Sequence, residues 1–267
     1  LGFGSADSIH LMSEVMKRAY ADRSIYLGDK DFVEVPLLGL TSKDYAKQLL
    51  KEISIQKVTP SEEISYGNPL PFESPETTHF SVMDSYGNVV SNTYTLNFSY
   101  GSGIVIPGTG ILMNNQMDDF SSKKGVPNAY GLVGFEANAI EAKKRPLSSM
   151  TPTIIFKNKR PYLVLGSPGG SRIITTVLQV TLNVLEHGMN IKKAVASPRM
   201  HHQWLPDVLL LEDGFGIDTH SLLKNKGHTI ERSRTMGSVQ AILSDGRYFY
   251  GAADTRRPDA GAVAVNP

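Results

Sequence analysis

The chain has 267 residues, 40% of them hydrophobic, with a formal net charge of +1 and no cysteine. That composition supports a sizeable folded core and excludes disulfides, thiolate metal sites and cysteine nucleophiles. The charges are interspersed, so neither nucleic-acid binding nor an acidic tail is expected, and no apolar run is long enough to span a membrane as a helix.

The sequence opens "LGFGSADSIH" without an initiator Met and enters a helical pattern almost at once, which reads as a piece of a longer or processed protein. Ser5 can cap a helix over residues 5–26, in which Ile9, Met12, Val15, Met16 and Ala19 recur at helical spacing. A second helix is expected from Ser42 to Ile53, with Thr41 as its N-cap and Asp44 three residues on. Residues 54–76, "SIQKVTPSEEISYGNPLPFESPE", are polar and Pro-rich and read as a flexible linker or exposed loop.

The pattern changes at Thr77. "TTHFSVMD" and "NVVSNTYTLN" flank "SYG" and predict a β-hairpin. Gly-rich turns and the polar stretch "NNQMDDFSSKKGVPNAYG" follow, then short strands in "TPTIIF" and "PYLVLG". After "SPGGSR" comes a helix from about Arg172 to His187, ended by Gly188. Short helices fit Ile191–Ala196 and Thr219–Asn225, and "VQAILSDGRYFYGA" is a hairpin turning at Asp245-Gly246. This order predicts a layered α+β domain beginning at Thr77.

A turn centred near Tyr86 pairs positions whose numbers sum to about 172 or 173. Thr77 then lies across from Thr95 or Leu96; facing Thr95, it shares a side of the ribbon with Thr95 and Asn97. A cross-strand Thr-Thr contact is one reading. The other is a nucleophile: cutting before Thr77 creates an α-amino group with a pKa of about 7.7–8.0, able to take the proton of its own hydroxyl. In "GSPGGSR" backbone amides at a helix start can face an oxyanion, and Gly169 and Gly170 permit close approach. The rival phosphate-loop reading lacks the Lys-Ser/Thr and the dinucleotide spacing; a plain tight turn is the third.

In "NNQMDDF", Gln116 and Asp119 suit a cationic amine, while a calcium loop lacks its spacing. "KRPLSSM" offers Ser148 and Ser149 to a carboxylate. "MHHQW" suggests a metal site, but adjacent His side chains share no face and no HExxH partner exists. "NFS" at 97–99 fits a glycosylation sequon.

Together "TTHFSVMDSYGNVVSNTYTLN", "NNQMDDFS", "NAYGLVG", "KRPLSSMTPTIIF" and "GSPGGSRIITTVLQV", with the opening "GSADSIHLMSEVMKRAYADRSIYLGD", closely resemble the γ-glutamyltranspeptidase (glutathione hydrolase) family. The resemblance implies an N-terminal-nucleophile hydrolase, an αββα sandwich of two stacked antiparallel sheets flanked by helices. It implies self-cleavage between Glu76 and Thr77, giving a large-subunit remnant (1–76) and a small catalytic subunit (77–267). Thr77 would attack the γ-glutamyl amide of glutathione or a relative, and water, an amino acid or a dipeptide would receive the acyl group; the alternatives are a related hydrolase of the same scaffold acting on poly-γ-glutamate or glutaryl amides, or an inactive binding homologue. By the same resemblance Thr95 orients Thr77, Gly169 and Gly170 form the oxyanion hole, and Asn97, Gln116 and Asp119 hold the donor's amino group. Ser148 and Ser149 hold its carboxylate, and Tyr130 belongs to a lid. No cofactor or metal is implied, and the location is periplasmic or extracellular. The family's large subunit is longer, and its upstream carboxylate-binding arginine lies outside this chain. The missing part is therefore an expected partner.

Overall fold

The computed structural model describes residues 1–69, 81–98, 100–257 and 260–265. Helix α1 (Ala6–Tyr26) starts as read, with the Ser5 side chain accepting from the Ser8 N–H. Helices α2 (Leu37–Leu40) and α3 (Lys43–Leu50) follow. The cap of α3 is Ser42 rather than Thr41: the Ser42 hydroxyl accepts from Asp44 and Tyr45, whereas the Thr41 hydroxyl donates back to Leu37 O at 2.7 Å. Thr41 is spent closing α2, which the sequence reading missed.

Strands β1 (Val82–Met83) and β2 (Val89–Val90) form the expected hairpin, with Val82 opposite Val90 and Met83 opposite Val89. That register matches the sum of 172. The ladder ends at Val90, however, and residues 91–96 are irregular; Thr77 lies outside the described residues, so the predicted Thr77–Thr95 pairing does too.

Strands β3 (Thr153–Lys157) and β4 (Arg160–Gly166), helices α4 (Arg172–Leu185) and α5 (Ile191–Ala196), then β5 (Met200–His201), β6 (Leu209–Leu211), α6 (Ile217–Asn225), β7 (Ile230–Arg232), β8 (Gln240–Ser244) and β9 (Phe249–Ala253) complete the chain. α4 stops two residues before the expected end, while Gly188 takes the left-handed φ of 61° in the turn that follows. α6 begins two residues before the expected start, at Ile217.

One antiparallel sheet runs β3-β4-β8-β9. Its Leu163, Leu165, Ala241 and Ala252 pack against Ile173, Val177, Val180 and Val184 of α4 and Ile191 and Val195 of α5, forming the main core. A second, three-stranded sheet runs β5-β6-β7, with β6 parallel to β7. Its Met200, Leu209 and Leu211 pack with Ile9 and Met16 of α1 and Leu223 of α6. The architecture is α+β with helices laid on sheets. Among the described residues no helix is long and apolar enough to cross a membrane.

Over its described part the stretch 54–76 is the exposed loop of the two readings rather than the flexible linker. Residues 54–69 lack regular strands, but Val58 N bonds to Lys226 O at 2.8 Å, Thr59 O accepts from Lys17 at 2.8 Å and Ser61 N donates to Asp207 at 2.7 Å. Backbone polar groups here are satisfied by partners distant in sequence, one of them the buried Lys17.

Candidate active site

The loop between β4 and α4 sits where an apolar strand ends and a helix begins. Gly169 has φ 142° and Gly170 has φ 58°, both in the region that favours glycine. A Cβ on Gly170 would lie 2.4 Å from Tyr130 Cε1, and one on Gly169 would lie 3.3 Å from Gly237 Cα. Both glycines are thus required by backbone conformation, and Gly170 by space as well. The Tyr20 hydroxyl donates to Ser171 O at 2.5 Å, tying α1 to the loop.

Tyr130 packs its ring on Gly170, and its hydroxyl donates to Asn97 O at 2.8 Å. Its ring also meets Phe98 edge-on at 5.5 Å. Asn97 itself adopts φ 77°, and its amide donates to Asn115 O at 3.3 Å. Thr95 is exposed, with its hydroxyl accepting from Asn97 N at 2.8 Å.

Gln116 and Asp119 form one 3₁₀ turn. Burial pushes the Asp119 carboxyl up to about 6; the Arg23 charge pulls against this, Asp118 adds to it, and a hydrogen bond from Gln116 opposes it. Arg23, from the last turn of α1, donates to Ser149 Oγ at 2.8 Å. Buried Asn138 joins these segments: its Nδ2 donates to Asp119 O at 2.7 Å and its Oδ1 accepts from Leu147 N at 2.8 Å. Asp29 anchors the same stretch by accepting from Arg145 N at 2.8 Å and Arg145 Nε at 2.9 Å.

The structure therefore brings Asn97, Tyr130, Gly169 and Gly170 together, and Asp119 and Ser149 around Arg23. Ser148 is exposed, and among the described residues its hydroxyl accepts from Met150 N at 3.1 Å. Glu76 and Thr77 lie outside the described residues. Sequence reading missed Arg23 and Asn138. Arg23 follows Tyr20 by three residues, one helical turn, but nothing in the sequence says that this face meets a serine 126 positions away.

The "MHHQW" histidines are occupied otherwise. His201 is buried, and burial pushes it down to about 4; its Nδ1 lies 2.8 Å from Thr175 Oγ1 and its Nε2 lies 2.9 Å from Gln203 Oε1. His202 Nε2 lies 3.2 Å from Asp207. Gln203 Nε2 donates to Tyr130 O at 3.2 Å, so this loop braces the tyrosine segment. Among the described residues no three His, Asp or Glu side chains converge to hold a metal ion.

The helix-backed sheets form an α+β fold, and the solved structures it matches are N-terminal-nucleophile hydrolases. The cephalosporin acylase of Bacillus halodurans superposes on the whole chain with a TM-score of 0.83 at 26% identity, using 47% of its own length. The chain belongs to the γ-glutamyltranspeptidase family, whose sequence model matches residues 1–264. It is 56% identical to the glutathione hydrolase proenzyme of Escherichia coli (strain K12) over 97% of this chain and 45% of that one. A Helicobacter pylori γ-glutamyltranspeptidase chain, 56% identical, aligns over its full length to 68% of this chain with a TM-score of 0.65. The chain thus spans about half the length of the curated relatives it matches.

Proposed function

We propose that the full-length protein cleaves itself between Glu76 and Thr77 and then transfers γ-glutamyl groups from glutathione and related amides to water, amino acids or short peptides. The clustering of Asn97, Tyr130 and Gly169-Gly170 beside the Arg23–Ser149–Asp119 group carries this reading. It supplies amide donors at one point, an anion for the donor's ammonium and hydroxyl and guanidinium donors for its carboxylate. The glutathione hydrolase relative supports the substrate class. The H. pylori chain covers a share of this one close to that of residues 77–267, which fits a separate small subunit beginning at Thr77.

In this scheme the Thr77 α-amine takes the hydroxyl proton as Oγ attacks the γ-carbonyl. The oxyanion sits at the Gly169–Gly170 amides, and the protonated amine hands its proton to the departing nitrogen. A γ-glutamyl ester remains, to be opened by water or an amine. Thr95 orients Thr77, and Asn97, Gln116, Asp119, Ser148 and Ser149 hold the glutamyl end under the Tyr130 loop. The upstream part of the same protein completes the assembly, and the periplasm or exterior is the proposed location.

Intact-mass measurement of the full-length protein, followed by turnover assays, tests this. Two pieces split before Thr77 and glutathione turnover are expected, with Thr77→Ala giving a single uncut chain and no covalent γ-glutamyl adduct. Faster turnover of a glutaryl amide than of glutathione would overturn the substrate class.

A further inference from the structure

Three hairpin turns meet at one end of the β3-β4-β8-β9 sheet. β3 and β8 both lie antiparallel to β4, so they run alike and their turns project from the same end. The β1–β2 turn joins them, and the three line a cavity of about 1090 Å³. β4 leads from this end to the glycine loop, which sets the cavity one strand length, about 20 Å, from the candidate active site.

Lys157, Lys159, Arg160 and Arg247 border the cavity, and all are exposed. Its two acids are held by their own turns. Asp84 Oδ1 accepts from Tyr86 N and Asn88 N, each at 2.9 Å, and its Oδ2 from Asn88 Nδ2 at 2.7 Å. Asp245 Oδ1 accepts from Arg247 N at 2.8 Å and Tyr248 N at 2.7 Å, and its Oδ2 from the Tyr250 hydroxyl at 2.8 Å. The cations meet rings instead: Lys157 Nζ lies 5.1 Å from the centre of Tyr162, and the Arg247 guanidinium 5.0 Å from that of Tyr248.

The β3–β4 turn adds an independent sign. Lys157 pairs with Arg160, so Asn158 and Lys159 are its two central residues, with φ of 52° and 62°. Such turns favour Asn-Gly. The neighbouring turns do place glycine in the left-handed region, Gly87 at 89° and Gly246 at 90°, whereas this one keeps a lysine there despite the steric cost. Aromatic side chains stand among the cations: Tyr86 is 91% exposed and Phe249 51%.

We propose that this end of the sheet docks the protein on an anionic lipid surface. A small anion would need buried donors, whereas these cations are exposed and spread over three turns, as a wide charged plane requires. Lysine and arginine attract anionic headgroups, and tyrosine and phenylalanine settle at headgroup level. A soluble acidic polymer would meet the charges and leave the rings in water. Docked this way, the glycine loop faces away from the lipid and stays open to solutes. The inference does not rest on the γ-glutamyl reading.

The test is co-sedimentation of the full-length processed protein with vesicles of phosphatidylcholine alone, or of phosphatidylcholine and phosphatidylglycerol in equal parts. Binding to the anionic vesicles only, lost at high salt, is expected. Lys159→Gly removes one charge where the backbone suits glycine, so its urea midpoint should not fall. It should weaken binding about 5-fold, and combined with Arg247→Gln about 25-fold. Tyr86→Ser should weaken binding with every charge in place. Lys192→Gln, exposed on α5 and outside the cavity, removes the same net charge and should leave binding unchanged. The proposal is overturned if neutral vesicles bind equally, if no vesicle binds, or if Lys192→Gln weakens binding as much as Lys159→Gly. Capture by soluble polyglutamate without vesicle binding would also overturn it and give the surface to an acidic polymer.

Discussion

Two helices of this chain are buried by opposite means. α4 lays Ile173, Val177, Val180 and Val184 on an apolar sheet face, where attraction is non-directional and any well-filled arrangement is favourable. α1 buries His10, Ser13, Glu14, Lys17, Arg18 and Asp22 as well as Ile9 and Met16. Lys17 and Glu14 have partners far along the chain. Lys17 Nζ reaches Asp207 at 2.7 Å and Thr59 O at 2.8 Å, while Glu14 Oε1 accepts from Thr59 N at 3.1 Å and Oε2 from Arg18 at 2.9 Å. Burial works against the charge of Asp207, yet hydrogen bonds from His202, Lys17 and Ser61 N hold its carboxyl well below the usual range. The apolar helix is a wall; the polar one is a clamp that fixes the segment leading toward the proposed cleavage point.

The contrast predicts how each fails. Lys17→Met takes the buried ammonium from Asp207 and Thr59 O, while Glu14 keeps Arg18, and should cost about 1.5–3 kcal/mol; it should also slow self-cleavage, because residues 59–61 lose their anchor. Leu165→Ala, in the apolar wall, should cost about 2–5 kcal/mol through its cavity and leave the rate of cleavage in the folded protein unchanged. Urea unfolding and a time course of intact mass read the two effects. Equal cleavage in both variants would erase the distinction between wall and clamp.

A smaller effect separates the helices by pH. His10 Nε2 donates to Ser54 O at 2.7 Å, and its Nδ1 lies 2.8 Å from His228 Nε2. Burial, then the charges of His10, Lys17 and His202, push His228 down to about 3, with Asp207 opposing. A histidine with a lowered folded pKa is protonated more readily in the unfolded chain. Its contribution is therefore complete above pH 6.5 and shrinks as pH falls toward 3. Asp119, raised to about 6, acts with the opposite sign, so the difference between wild type and His228→Asn is the quantity to measure. The wild type should lose about 1–2 kcal/mol more than the variant between pH 7 and pH 5; parallel profiles would exclude the pair as the source.

The same contrast explains what was legible. The α4 face, Gly188 and the Asp245-Gly246 hairpin follow from periodicity and turn chemistry, which are local. The glycine loop was readable because left-handed backbone leaves few alternatives to Gly. The β5-β6-β7 sheet was not: its strands are two or three residues long, and its parallel pair is joined through α6, so no local alternation marks it. Nor were the partners of α1, since a helix reading counts apolar positions and says nothing about which lysine is buried. "MHHQW" drew attention for its histidines, whereas Gln203, braced by one of them, is the residue that reaches Tyr130.

Arg23 belongs to the clamp helix but acts at the site, and it gives the finest test. It donates to Ser149 Oγ and lowers the cost of charging Asp119, the group assigned to the donor's ammonium. Arg23→Gln should raise the donor KM about 10-fold, the worth of one charge-assisted contact. A merely structural loss would do no more than that. If Arg23 holds Asp119 in its charged form, removing it pushes that carboxyl further above its ordinary value. The acid limb of the kcat/KM profile, expected near pH 6 in the wild type, should then move toward neutral pH. Arg23→Lys keeps the charge and should restore the limb while leaving part of the KM defect, because an ammonium does not reproduce the guanidinium's fork toward Ser149. An acid limb that stays in place in Arg23→Gln would mean that α1 only carries the site and does not tune it.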